Sequence, residues 1–306
     1  MHSNPLSKAI DWASFDRLQA EPAAWLAVAQ ALAAQHGGGP VVQAGTGSVL
    51  VALLGTDRVL KVYPPFLRDH YDFECATLPL LAGRLAVPTP QLLAVGAHQG
   101  WPYLVMARLA GTPMTEAWPG LPEADKCTLL HSLGALTAQV HALPLADSLR
   151  PLAPAWPDFI AGQRERCLGR QQRSGLPAQL LARLADFLPG PLPEAGPTVL
   201  LTGEYTPMNL LVHGGQLAGM FDFGDGLLGP RAYDWLGPLC FLAAGHPARC
   251  RAFMAGCGVQ LDDALRLQLL RLLLLHRYSN LPAQLSTCPG WQEALDFEAL
   301  ALRLWA

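Results

Sequence analysis

The stretch TGEYTPMNLLVHGGQLAGMFDFGD, residues 202–225, decides how this chain is read. Four polar side chains, Glu204, Asn209, Asp222 and Asp225, interrupt apolar runs. Leu210–Val212 follows Asn209, and Leu217–Phe221 precedes Asp222; both runs have strand character. Between them His213–Gln216 (HGGQ) has the glycines of a tight turn. A hairpin of this design brings Asn209 and Asp222 to one end of a sheet, with Glu204 on the loop before it. Oxygen donors grouped in this way suit Mg²⁺, a hard cation that takes one or two carboxylates together with substrate phosphates. Asn209 and Asp222 are therefore the candidate metal ligands, and Glu204 the residue that faces a nucleophile. Taken singly, each of these side chains is also an ordinary turn cap; the combination and its spacing favour the metal.

Upstream, the pattern divides in two. Residues 10–36 read as helical, with Pro22 in the first turn of a second helix. Strand candidates follow near 40–44, 49–54 and 59–63, the last two joined by the tight GTDR connection. A helix is expected over 66–83, with Pro79 as a kink or break, and then a strand–turn–strand over 91–111. Beyond residue 112 the chain turns helical: 122–142, 157–170, 177–188, 231–243, 247–256, 261–279 and 290–305. The predicted class is α+β, a small antiparallel sheet lobe plus a larger helical lobe. The divisions are 1–39 (helical segment), 40–111 (sheet-rich lobe) and 112–306 (helical lobe). A ligand is expected where two such lobes meet.

Composition narrows the class. Of 306 residues, 51% are apolar and 15% charged, which excludes a disordered chain. The net charge of −3 carries no basic excess that would call for nucleic acid or an anionic membrane. Seven scattered cysteines with no CxxC pair indicate neither a disulfide framework nor a zinc knuckle. The N-terminus lacks the apolar core of a signal peptide. No apolar run reaches the roughly 18–20 residues of a membrane span; the nearest, 235–248, is broken by Pro238, Gly245, His246 and Pro247. A soluble, cytoplasmic protein is expected. Only three lysines, Lys8, Lys61 and Lys126, occur among 21 basic residues, so Lys61 inside the apolar strand VLKVY stands out. Glycines in the Gln43–Ser48 turn, notably Gly45, together with Ser48, would let backbone N–H groups approach phosphates. No GK[ST] follows, which excludes a Walker A loop, and no GxGxxG precedes a βαβ unit, which excludes a Rossmann fold.

The 202–225 segment resembles the aminoglycoside phosphotransferases and the wider kinase-like fold. Their pattern is His-Gly-Asp, four residues, Asn, a short hairpin, then Ile-Asp-Phe/Trp. Here it reads Thr202-Gly203-Glu204, four residues, Asn209, then Phe221-Asp222-Phe223. The trailing GPRAYDWLGPL, 229–239, is similar to the family's Gly-Asp-Pro-x-Tyr-Asp-Leu-Ala. WPYLVMARLAGTPM, after VPTPQLLAVG, looks like the hygromycin-type enzymes. The resemblance spans about residues 40–280.

It implies a two-lobed protein-kinase-like fold that transfers the γ-phosphoryl of ATP or GTP, with Mg²⁺, to a small-molecule hydroxyl, such as that of an aminoglycoside. It implies that Lys61 pairs the nucleotide phosphates and an acid of the next helix, Glu74 being the natural partner and Asp72 the competitor. Met106 would occupy the gatekeeping position, Ala107 and Leu109 would offer backbone hydrogen bonds to the base, and Asp234 would brace the catalytic loop. Cationic acceptors would meet acids of the helical lobe, where Asp158, Asp262, Asp263, Glu293, Asp296 and Glu298 are available, though such acids read equally as solvated helix faces. His276 and Tyr278 could point into the same pocket, though a histidine at a helix C-terminus is also an ordinary dipole or capping residue. A protein kinase is excluded, since no Ala-Pro-Glu segment follows Asp222 and the run to Tyr233 is too short for an activation loop. Glu204 stands where the family has Asp, and Thr202 where it has His. Either the two form a compensated pair in an active enzyme, or the chain is a nucleotide-binding pseudoenzyme with a regulatory role.

Overall fold

The computed structural model describes residue 6 and residues 9–36, 39–45, 47–203 and 205–306. The fold is mixed: a small antiparallel sheet and many helices, in two compact units. The first comprises Met1–Arg84, Pro88–Ala110 and Met220–Asp225; the second comprises Leu85–Val87, Gly111–Gly219 and Gly226–Ala306.

The first unit is built on five strands: β1 (Val41–Gln43), β2 (Leu50–Leu54), β3 (Arg58–Val62), β4 (Leu92–His98) and β5 (Trp101–Ala107). They pair antiparallel in the order β1-β2-β3-β5-β4, so β3 is interior. Side chains alternate across a strand with period two, and the alternation here sorts two chemistries. Leu50, Ala52, Leu54, Leu60, Val62, Tyr103 and Val105 face one way, where they join a core with Phe15, Trp25 and Leu32. Those last three come from α1 (Trp12–Ala20) and α2 (Pro22–Gln35). Asp11 caps α1 by accepting from the Ser14 N–H at 2.9 Å, and Pro22 opens α2. The N-terminal helices thus cover one face of the sheet. The opposite face carries Val51, Val59, Lys61, Leu104 and Met106, with Lys61 directly across from Val51 and Leu104.

The helix α3 (Arg68–Leu81) packs against β4 and β5 and buries Tyr71, Phe73, Glu74 and Leu78. Pro79 lies within it, two residues before its last, without ending it there.

The second unit holds β6 (Thr112–Pro113), β7 (Val199–Leu201), β8 (Leu210–His213), β9 (Gln216–Met220) and β10 (Leu227–Gly229). β6, β8 and β9 form one sheet; β7 and β10 form another. The β8–β9 hairpin turns on Gly214 and Gly215, at φ +55° and +77°, the left-handed backbone that a two-residue hairpin turn requires. β10 is absent from the sequence reading, because three residues are too few to show alternation.

The helices Glu123–His141 and Pro247–Gly256 approach closely at glycines. A Cβ on Gly134 would lie 2.2 Å from the Phe253 carbonyl oxygen, and one on Gly256 2.1 Å from that of His131.

Three helix expectations need correction. The predicted 261–279 helix spans Asp263–Leu274 and ends five residues early. The predicted 177–188 helix is two short pieces, Ala178–Leu181 and Leu184–Phe187. The predicted 290–305 helix begins only at Phe297, where Asp296 accepts from the Ala299 N–H at 2.8 Å. Its cap, not the apolar pattern, sets the start. Among the described residues no helix is long and apolar enough to cross a membrane, and all seven cysteines are free thiols.

Candidate active site

Lys61 projects from the interior strand β3 into a nearly closed environment, its side chain 4% exposed. Its Nζ donates to both Glu74 oxygens, at 2.8 and 2.9 Å, and to Asp222 Oδ1 at 2.8 Å. The competitor Asp72 is turned outward, where it accepts from Arg68 one helical turn away at 2.9 Å. Helix periodicity explains the choice. Glu74 shares the buried face of α3 with Tyr71 and Leu78 at i−3 and i+4, and Asp72 does not.

Glu74 is fully buried and accepts two further bonds, from the Tyr63 hydroxyl and from the Phe223 N–H at 3.4 Å. Tyr63 lies two residues after Lys61 on the same face of the chain, and the sequence reading overlooks it. Burial would lower the Lys61 pKa, but the charges of Asp222 and Glu74 outweigh it and hold the pKa raised; the amine is an ammonium. Burial raises the Glu74 pKa against the opposing pull of Lys61. Burial, reinforced by Glu74, raises that of Tyr63, so its hydroxyl keeps its proton and donates it.

Asp222 differs from its partners in two ways. Its side chain is 38% exposed, and its backbone lies at φ +70°, a left-handed conformation uncommon for any residue but glycine. Such backbone persists where surrounding contacts over-determine it. Here the next residue, Phe223, is fully buried and tied to Glu74, while Asp225 meets His70 of α3 at 3.4 Å. The turn therefore presents one carboxylate outward beside a buried ammonium.

Gly45, Ser48, Met106, Ala107 and Leu109 belong to the same unit. Gly45 has φ +71° and room around it. Met106 is buried opposite Val59 on the Lys61 face. The Ala107 N–H donates to the Gln91 carbonyl at 2.9 Å, so of its backbone pair only the carbonyl is left to meet a base.

In the second unit, Asn209 is buried at the end of a 3₁₀ turn, Pro207–Asn209, that leads into β8. Glu204 lies outside the described residues. The peptide before it is held firmly. Asp234, whose side chain is fully buried, accepts from the Thr202 N–H at 3.1 Å and the Gly203 N–H at 3.0 Å. His141 Nε2 meets the same carboxylate at 2.9 Å. Asp234 thus braces this loop, with a histidine from the last turn of a distant helix that nothing in the local sequence marks.

A second histidine, His276, lies flat on Tyr233, ring centroids 4.6 Å apart, and hydrogen-bonds the Gly203 backbone. Its Nδ1 accepts from the Tyr278 N–H at 3.3 Å, which leaves the proton on Nε2. Burial, then Arg277 and Arg170, lower its pKa to about 3, so the ring is neutral near pH 7.

Of the candidate acceptor acids, two cap helices and two form exposed surface pairs. Asp262 and Asp296 are N-caps, Asp263 pairs with Arg266, and Glu293 lies 3.8 Å from Arg303. A cavity of about 400 Å³ in this unit, lined by Val87, Leu129, His131, Gln139 and Gln216 among others, holds none of the predicted site residues.

An interior-strand lysine tied to a helix glutamate and to an aspartate two residues past a hairpin, on a small antiparallel sheet, defines a kinase-like phosphotransferase fold. The chain belongs to the phosphotransferase enzyme family (APH), whose model it matches over residues 40–256. Solved structures agree in fold. The GDP complex of wild-type aminoglycoside 2'-phosphotransferase-IIIa is 20% identical, with 81% of this chain and 90% of that one covered and a TM-score of 0.63. Macrolide 2'-phosphotransferase MphH from Brachybacterium faecium is 21% identical, with 90% and 97% covered and a TM-score of 0.59. A thermostable mutant of aminoglycoside phosphotransferase APH(4)-Ia, in ternary complex with ADP and hygromycin B, is 17% identical, with 86% and 94% covered and a TM-score of 0.57.

Proposed function

We propose that this protein is an active small-molecule kinase that moves the γ-phosphoryl group of ATP or GTP to an acceptor hydroxyl, with Mg²⁺ as cofactor. The observation that carries the reading is the buried Lys61 ammonium, fixed by Glu74 and aimed at the one exposed carboxylate beside it, Asp222. A structural ion pair has no need of the second, outward carboxylate or of its left-handed backbone.

In this reading Lys61 neutralises nucleotide phosphates. Val51, Val59 and Met106 offer the base an apolar slot, edged by the Ala107 carbonyl and the Leu109 N–H. The Gly45–Ser48 turn covers the phosphates. Asp222 and Asn209 suit Mg²⁺ by donor chemistry, a carboxylate and a carboxamide oxygen; the ion would screen charge as the phosphoryl group transfers. Glu204 accepts or orients the acceptor hydroxyl proton, at the end of a loop that Asp234 and His276 hold still. The acceptor is a hydroxyl-bearing small molecule. Aminoglycosides and macrolides are its first candidates, since similar folds are phosphotransferases of those compounds.

Titration calorimetry with Mg-ATP and Mg-GTP on the wild type and on Asp222→Ala tests the reading, followed by nucleotide turnover with hygromycin B and with a macrolide. Magnesium-dependent binding that Asp222→Ala abolishes, with acceptor-stimulated turnover, is expected. Binding without turnover for any acceptor would identify the pseudoenzyme that Glu204 raises as the alternative. No binding would end the nucleotide reading.

A further inference from the structure

The family match begins at residue 40, so α1 and α2 lie outside it. Their apolar faces cover the sheet, which accounts for Phe15 and Trp25 but not for Gln19. This side chain, on the last full turn of α1, is 7% exposed. Its carboxamide closes a two-point ring on a single residue of the glycine turn. Nε2 donates to the Gly47 carbonyl at 2.5 Å, and Oε1 accepts from the Gly47 N–H at 3.3 Å. Nε2 also lies 3.5 Å from the Val49 carbonyl. The carboxamide thus engages both backbone groups of Gly47, in the bend at 47–49, and locks that residue's orientation. A polar side chain is costly to bury unless it is so engaged, and Ala or Leu would serve simple packing at this position.

Resting on the reading that the Gly45–Ser48 turn covers nucleotide phosphates, we infer that Gln19 is a positioning residue for that turn. The N-terminal segment uses it to set phosphate affinity from outside the family domain. Because the Gly47 N–H is taken by Gln19, it is not a phosphate donor. Contacts to phosphate come from the flanking Gly45 and Ser48, whose placement depends on the lock. Gln43 adds a second, local tie, its Nε2 donating to the Gly45 carbonyl at 3.1 Å.

The test separates phosphate from base. Gln19→Met keeps length and apolar packing but removes both hydrogen bonds; Gln19→Ala removes packing as well. Dissociation constants for the Mg-triphosphate and for its bare nucleoside are measured on each, with thermal melts as a check on folding. Two lost hydrogen bonds predict triphosphate binding weaker by about tenfold in both variants, with nucleoside binding unchanged. Wild-type triphosphate affinity in Gln19→Met would overturn the inference, because packing alone would then suffice. So would an equal loss for nucleoside and triphosphate, which reports a loosened sheet. A wild type that binds no nucleotide would overturn the functional reading and this inference with it. A wild type that binds, with indifferent variants, would overturn this inference alone.

Discussion

Replacing Lys61 with Met removes the one cation among three charged groups. In the wild type its ammonium lies 2.8–2.9 Å from both Glu74 oxygens and 2.8 Å from Asp222, with Lys61 and Glu74 side chains 4% and 0% exposed. Methionine keeps the length and loses the charge, leaving a buried carboxylate without a counter-ion. Breaking a buried pair from one side costs about 3–5 kcal/mol. The Tyr63 hydroxyl and the Phe223 N–H still reach Glu74, so the lower part of that range is expected.

The pH dependence follows from the sign of the Glu74 shift. Its pKa is raised by burial, and without Lys61 nothing of opposite charge opposes that. The folded variant then keeps a proton that the unfolded chain releases. This contribution is complete below the ordinary carboxylate value and is lost as pH rises through the folded pKa, by about 1.4 kcal/mol per pH unit. Urea unfolding from pH 5 to 8 should therefore show the gap between Lys61→Met and wild type widening with pH. Adding Glu74→Gln, which removes the stranded charge, should flatten the profile and restore part of the loss. A loss below about 1 kcal/mol, flat across pH, would refute the reasoning, since it would mean that water screens the triad as it does a surface pair.

Two further outcomes are expected. Asp234→Asn leaves one acceptor oxygen for two backbone N–H groups and His141, so one buried donor loses its partner. Stability should fall by about 1–3 kcal/mol, and kcat, where turnover is measurable, should fall more than nucleotide affinity does, because the braced peptide leads to Glu204. His276, lowered to about 3 by burial and its arginine neighbours, stays neutral in the folded state while the unfolded ring protonates near 6.5. Its contribution is complete above 6.5 and is lost as pH falls toward 3. From pH 7 to 5 the wild type should lose about 2 kcal/mol more than His276→Gln does, measured by denaturant titration at each pH.

Much of the candidate site was legible because its signals are local. Glycine-paired turns, period-two alternation and a lone lysine in an apolar strand pointed to a strand at 217–221, one residue off the observed Gln216–Met220, to the hairpin and to Lys61. The interval from Asn209 to Asp222 needs only chain geometry. The acceptor acids stayed open for a related reason. Asp262 and Asp296 stand before helices, where local composition suits a pocket and a cap equally, and the hydrogen bonds to Leu265 and Ala299 show them to be caps.

The amino-acid sequence by itself determined most of the strands and helices, and the residue types able to do phosphoryl chemistry, because propensity, caps and periodicity act over a few residues. The tertiary structure decided which of these types meet. Glu74 rather than Asp72 takes Lys61 because α3 turns that face inward. Asp222 reaches Lys61 across 161 residues, Gln19 reaches Gly47 across 28, and His141 reaches Asp234 across 93. Such pairings depend on how whole elements pack, and no local pattern in the chain encodes a partner at that distance.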